Sequence, residues 1–510
     1  MVAETETATA GWVRPLSLAG MREFVSRHAL LLIVAVGATI RFATLGSQGF
    51  WMDEHIQINT LQQPPSELLP TIMSSETTPP LYLVVGKTWQ AVFGLGEVGL
   101  RSLSALAGAA TIPVVYAAGR ALASRRAGLF AAALTATSPF MIWYSQEARP
   151  YALFAFLSAL AFLFFVEALQ GKGVRWLWAW AIASILACSA HYFGFLFTGI
   201  EAAWLLWWLR GSRQDVALSI GVIAAASVPL VLLGLAQQQK TSWIELVYPG
   251  DRLVQVPQHL IVGLTSPWEF LPPLAVGVVL ATVLYVIVSS KPGTLQIAVI
   301  PGGVALAAGA IAVIALIVGS DYLITRNLIG IWVPFVIALS ALLAAPAANH
   351  VGTALVALLC LTGLALAIWN AATPAAGRPD WDPLAAALGP PEVPRAIEYP
   401  SPFVVPLLHD LPNAHEPVPG EIFTVQEIDV VEFRQVRDYG IGPCWWAGVC
   451  GGTQDVGFAE GLFFPIPRGF ELVEEGQTSL FTYRRYRAAH PVELPPAGDF
   501  GNKVILQSPP

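Results

Sequence analysis

The side chains most able to do chemistry are acidic and basic groups placed beside long apolar runs. Asp53 and Glu54 follow the first such run, within Trp51-Met52-Asp53-Glu54-His55. Adjacent residues on a helix or strand point in different directions, so one can face a cavity while the other makes a structural contact. Asp53 reads as a general base, able to take a proton from an attacking hydroxyl or amine. The pair reads equally as an acidic helix end facing water, and Glu54 stands beside Asp53 as a candidate substrate contact. Glu147 and Arg149 lie in Tyr144-Ser145-Gln146-Glu147-Ala148-Arg149-Pro150-Tyr151. Two residues apart on an extended loop, they share a face. There Arg149 suits a phosphate held bidentately and Glu147 suits an acceptor or a metal; a local ion pair at headgroup level is the alternative. Arg326, in Tyr322-Leu323-Ile324-Thr325-Arg326-Asn327, is placed either to neutralise a lipid phosphate or to anchor a helix end. His191 and Tyr192 sit between apolar runs as site residues or as packing groups. Lys87 is a further candidate contact, with snorkelling to headgroups the better-supported reading. The sequence holds no Walker A, HExxH, CxxC or nucleophile-elbow pattern, so soluble nucleotide use is unsupported.

The elements that must position these residues are membrane helices. The 510-residue chain is 55% hydrophobic and 12% charged, with mean hydropathy +0.61. Soluble proteins carry about 25% charged residues, and half that leaves too little polar surface for water. Apolar runs at 29–45, 101–119, 127–143, 152–169, 176–190, 194–209, 215–236, 271–289, 295–318, 328–346 and 350–371 give a membrane all-α fold of about eleven spans. Arg22 and Arg27, then Arg120, Arg125 and Arg126, then Lys172 and Arg175, Arg210 and Arg213, and Lys291 all fall on one side of that arrangement. The positive-inside rule makes that side cytoplasmic. The first helix is expected to be retained, because no small-residue cleavage site follows it. Leu81–Leu95 is too short to cross and would reverse the charge pattern, so it is expected as a juxtamembrane or re-entrant helix.

This parity divides the chain into a cytoplasmic segment 1–28, a membrane domain 29–371 and an outer domain 372–510, with 46–100 as the first outer loop. It also gathers Asp53, Glu147, His191, the loop 237–269 and Arg326 at the outer face. Charged groups at such depth are costly and mark function by default. From Ala375 onward there are nine Lys or Arg and eighteen Asp or Glu, a net of −9 against −7 for the whole chain. That acidity argues against nucleic-acid binding. Its aromatic and β-branched runs, among them Phe403-Val404-Val405, Ile428-Asp429-Val430-Val431 and Leu480-Phe481-Thr482-Tyr483, predict strands of a small soluble α/β domain, with a helix starting at Asp380-Trp381. Cys188 and Cys360 read as packing residues; Cys444 and Cys450 share a loop where a disulfide fits a domain outside the cytoplasm.

In order, Trp51-Met52-Asp53-Glu54, Pro79-Pro80-Leu81-Tyr82, the basic stretch Arg120 to Arg126, Tyr144-to-Tyr151 and His191-Tyr192 resemble the GT-C superfamily of membrane glycosyltransferases. The likeness covers roughly residues 29–371. It is nearest to bacterial relatives of dolichyl-phosphate-mannose protein mannosyltransferase and of the lipid A aminoarabinose transferase, the glycosyltransferase family 39 type. The resemblance implies a polyprenyl-phosphate sugar donor, inversion at the anomeric carbon, and an outer-face acceptor that is lipid, protein or polysaccharide, all at the plasma membrane and in contact with its lipids. Mannose or another hexose or pentose is the sugar it implies. By motif, Asp53 corresponds to the catalytic carboxylate and Glu147 to the second acidic residue, with Arg149 and Arg326 as candidates for the donor phosphate. Some relatives need a divalent metal ion and others do not, so metal use stays open. Many relatives have His before Pro-Pro-Leu where this chain has Thr78, and no repeat suggests the β-trefoil of the protein mannosyltransferases. A lipid-linked sugar transporter would share the apolar bulk, but the sequence shows no internal repeat and its charges gather at one face. A non-catalytic assembly protein would leave Asp53 and Glu147 without a purpose.

Overall fold

The computed structural model describes residues 18–399 apart from 76, 238–243, 245–248, 374–375 and 379, and residues 404–509 apart from 419–420, 434–465, 467, 479–480 and 495–502. Cys444 and Cys450 lie outside the described residues. Cys188 and Cys360 are free thiols, the first buried.

Each of the eleven apolar runs is helical. In chain order the helices are α1 (Leu18–Ala43), α2 (Met52–Gln62), α3 (Pro65–Ser75), α4 (Leu81–Phe93), α5 (Glu97–Leu122), α6 (Arg125–Thr137), α7 (Pro139–Ser145), α8 (Tyr151–Leu169), α9 (Val174–Ala190), α10 (Gly194–Trp208), α11 (Arg213–Gln237), α12 (Pro249–Val262), α13 (Leu271–Ser289), α14 (Pro292–Ile317), α15 (Trp332–Leu343, entered through a 3-10 turn Thr325–Ile331) and α16 (Asn349–Ala372). In hydrocarbon every backbone N–H and C=O must be satisfied internally, and a helix does that within one segment. Among the described residues seven helical segments are long and apolar enough to cross a membrane by themselves, and the bent pair α6–α7 makes an eighth if it is counted as one broken span. The chain is a multi-pass membrane protein. The core lies among α5, α8, α9 and α15, around Phe154, Phe162, Phe165, Trp180 and Trp332. By contrast α13 and α14 leave Leu280, Val288, Leu306 and Ile317 exposed, as helices facing lipid do.

The run expected as one span at 127–143 is broken. Pro139 has no N–H to donate and pushes the preceding residue out of the helical region; Ser138 accordingly sits at φ −61°, ψ 119°. Ser138 Oγ accepts from the Met141 N–H at 3.3 Å and starts α7. The two axes differ by 58°. Two carbonyls near the break accept from Arg41 of α1, Thr135 at 2.9 Å and Ala136 at 3.0 Å. Arg41 Nε also donates to Ser145 Oγ at 3.1 Å, at the end of α7. Close backbone approach holds this kink: a Cβ on Gly108 would fall 2.0 Å from Ser145 Oγ, and one on Gly363 2.2 Å from the Thr137 carbonyl. The bend aims α7 and the following loop toward the first loop.

That loop, 46–100, folds as α2, α3 and α4, so the helix expected at Leu81–Leu95 is present. After α16 the described residues form two short helices, α17 (Asp382–Leu388) and α18 (Val404–Asp410), and six strands, β1 (Arg395–Tyr399), β2 (Ala414–His415), β3 (Phe423–Phe433), β4 (Phe470–Gln477), β5 (Phe481–Leu494) and β6 (Lys503–Gln507). They form one mixed sheet in the order β2-β6-β1-β3-β5-β4. The expected strands at Ile428–Val431 and Phe481–Tyr483 lie in β3 and β5. The strand expected at Phe403-Val404-Val405 is corrected by the structure, because Val404 opens α18 instead. Pro406 sits in its first turn, where no helical N–H is lost, and Leu407 then buries against Trp381, Tyr399 and Phe481. Met52 of α2 packs on that same cluster, so the sheet domain rests against the first loop.

Candidate active site

Asp53 and Glu54 occupy the first turn of α2 and diverge as adjacent helical residues should. Glu54 points inward and is saturated. It receives Arg101 Nε at 2.8 Å and Nη2 at 2.6 Å, the Ala148 N–H at 2.7 Å and the Trp51 N–H at 3.3 Å. Arg101 also donates to the carbonyls of Leu45, Gln48 and Gly49. One buried pair thus fastens the exit of α1, the start of α2 and the loop carrying Glu147 to α5. Burial would raise the Glu54 pKa, but Arg101 overcomes it and holds the carboxyl below its ordinary range.

Asp53 points the other way, to Arg326, whose Nη1 donates to Asp53 Oδ2 at 2.8 Å. Arg326 stands 5.9 Å over the Tyr151 ring. Arg149 Nη1 reaches the Asp53 carbonyl at 3.4 Å and Gln57 Oε1 at 3.3 Å. His191 stacks on Phe154 at 5.0 Å and accepts the Phe193 N–H at Nδ1. Burial, then Arg326 and Arg149, push its pKa down to about 3, so the ring is neutral.

Glu147 is the contrast to Glu54. It is 1% exposed, neither carboxylate oxygen has a hydrogen-bond partner, and the nearest cation, Arg378 Nη2, is 3.9 Å away. Burial pushes its pKa up to about 7, Arg378 opposing and Glu54 and Asp53 adding to the rise. Arg378 stands 4.6 Å over the Trp143 ring and donates to the Trp143 carbonyl. Its own N–H donates to Gln48 Oε1 at 3.1 Å.

The structure therefore brings together Asp53, Glu54, Glu147, Arg149, His191 and Arg326. Two candidates sit elsewhere. Tyr192 donates to Gln237 Oε1 at 2.8 Å, and Gln237 in turn to the Ile72 carbonyl, tying α11 to α3. Lys87 donates to the carbonyls of Leu61 and Gln63 and caps the far end of α2, which replaces the expected snorkelling by a backbone anchor. Sequence reasoning missed Arg101, Gln57 and Arg378. Arg101 left a signal, a lone cation at the very start of an apolar run. Arg378 left none, since its partners are more than 200 positions away. Among the described residues the group of His, Cys or acidic side chains gathered closely enough to hold a metal ion is His55, His409 and Asp410, and it includes neither Asp53 nor Glu147.

The family model of dolichyl-phosphate-mannose-protein mannosyltransferase matches residues 67–243, the stretch that includes Glu147, Arg149 and His191 and begins after Asp53. ArnT from Cupriavidus metallidurans bound to undecaprenyl phosphate superposes with a TM-score of 0.51 at 14% identity, covering 90% of this chain and 98% of that one. The fold is that of the GT-C membrane glycosyltransferases. The apo form of ArnT aligns at TM-score 0.49 and 15% identity over 76% of this chain and 85% of its own. The apo oligosaccharyltransferase of Archaeoglobus fulgidus aligns at TM-score 0.45 and 16% identity over 71% of this chain and 58% of that one. A sequence search of curated proteins finds no match. In the GT-C framework seen here, the first-loop helix α2, the α7–α8 loop and the 3-10 turn before α15 converge on one point, and the linker after α16 closes it.

Proposed function

We propose that the protein transfers a sugar from a polyprenyl-phosphate donor to an extracytoplasmic acceptor, inverting the anomeric centre, with Asp53 as the base. The observation that carries this reading is the charge of the buried cluster. Four guanidinium groups, Arg101, Arg149, Arg326 and Arg378, face three carboxylates, Asp53, Glu54 and Glu147. An excess of at least one positive charge suits a phosphate, and guanidinium is the side chain shaped to hold it. Arg326 and Arg149 flank Asp53 and are placed to receive the leaving phosphate.

In the proposed step the acceptor oxygen or nitrogen bonds to the anomeric carbon while the bond from that carbon to the phosphate oxygen breaks. Asp53 takes the acceptor proton, and the arginines offset the charge left on the phosphate. A single base suffices, unlike a hydrolase that flanks its bond with two carboxylates. Glu147, held near neutrality, is the second acidic residue, placed to hold the acceptor. The basic joints of the opposite side support an extracytoplasmic site for this chemistry. ArnT, bound to undecaprenyl phosphate in the matching fold, supports the donor class. The test is transfer of labelled sugar from synthetic polyprenyl-phosphate donors by the purified full chain supplied with membrane extract. Label appearing in a new product supports the reading, and label that stays on every donor while the protein remains folded contradicts it.

A further inference from the structure

His55 follows Asp53 by two positions on α2, is 1% exposed, and neither of its ring nitrogens makes a hydrogen bond. An imidazole buried without partners is costly unless something else satisfies it. Facing it is the end of α18. Asp410 Oδ2 lies 4.0 Å from His55 Nε2 and is itself buried without a hydrogen bond. Asp410 Oδ1 is 3.0 Å from His409 Nδ1, and the His409 ring centroid is 4.8 Å from that of His55. One ligand atom from each residue lies within 4.8 Å of the others. The surroundings are acidic: burial, then Asp380 and Asp410, push the Asp382 carboxyl up to about 6.

We propose that His55, His409 and Asp410 bind one divalent transition-metal ion, zinc by donor set, which clasps the sheet domain onto the helix that carries Asp53. Two imidazoles and a carboxylate are the ligands of zinc and its neighbours, whereas calcium and magnesium take oxygen-rich sites. Three protein ligands leave the fourth tetrahedral position to water. His409 is exposed at the last turn of α18, so its ring can close the small remaining distance. The clasp adds to the packing of Met52 on the domain core. It lies on the side of α2 away from the Asp53–Arg326 pair, which makes it a separate site from the proposed catalytic centre.

The test uses the full chain in detergent, purified without a polyhistidine tag, stripped with chelator and dialysed against zinc. Metal content is read by mass spectrometry, and the ligand field by the visible spectrum after cobalt replacement. Wild type and Asp53→Asn are expected to retain about one zinc per chain, with affinity falling by roughly tenfold or more in His409→Ala and in Asp410→Asn. His409 is at the surface, and its variant is checked for unchanged elution and thermal unfolding in the stripped form. Zinc held equally by His409→Ala and Asp410→Asn would overturn the site, as would zinc lost from Asp53→Asn or a wild type that retains none. No readout depends on sugar transfer, so failure here is distinct from failure of the transferase reading.

Discussion

Glu54 and Glu147 are the same side chain, equally buried and joined through a single backbone segment, yet they stand in opposite conditions. Glu54 meets a bidentate guanidinium and two N–H donors. Glu147 meets no donor at all, with its cation 3.9 Å off. A buried charge that is saturated serves the scaffold; one that is left wanting is held ready for a partner. Asp53 lies between the two cases, paired to Arg326 through Oδ2 at a cluster whose cations outnumber its acids.

The comparison breaks first at the saturated end. Arg101→Ala strands the Glu54 carboxylate and frees three carbonyls, so a loss of about 3–5 kcal/mol is expected, read as a lowered Tm in detergent. An unchanged Tm would show that the pair is not a fastening point. Glu147→Gln should do the reverse. Because burial holds the Glu147 carboxyl near 7, ionising it costs the folded chain. That cost is absent below the ordinary carboxyl range and grows as pH rises to about 7. The variant is therefore expected to be more stable than wild type by about 1–3 kcal/mol at about pH 8 and equal to it at about pH 4. In transfer, the wild-type rate is expected to rise as pH passes through about 7 and the variant's rate is not; a rise that persists in the variant would assign the titration elsewhere. The smallest effect belongs to Tyr192→Phe, which removes one hydrogen bond to Gln237. A loss of about 1 kcal/mol in stability is expected, with transfer unchanged; a large fall in transfer would return Tyr192 to the site.

The sequence displays what depends on local pattern. The apolar runs fix the helices, and the polar residues interrupting them mark the ends where Asp53, Glu147, His191 and Arg326 collect. It hides what depends on distant pairing. Nothing near Arg378 reveals that it will stand over Trp143 beside Glu147. Likewise Arg101 and Arg41 act on carbonyls and carboxylates from other helices. The kink after Thr137 was readable, since Ser138-Pro139 carries the cap and the helix break together, but an apolar count runs straight through it. Val404-Val405 misleads for a related reason: β-branched residues favour strands, yet Pro406 and the apolar pair Leu407-Leu408 fit a helix laid on the sheet.

The proposed transfer requires Asp53 to take the acceptor proton. Its most direct test is labelled-sugar transfer from polyprenyl-phosphate donors by wild type and by Asp53→Asn, with thermal unfolding of both measured in parallel. Loss of about 10²–10⁴ in rate at unchanged Tm is the predicted result. Transfer by Asp53→Asn at the wild-type rate would contradict the account and leave Glu147 as the carboxylate to examine.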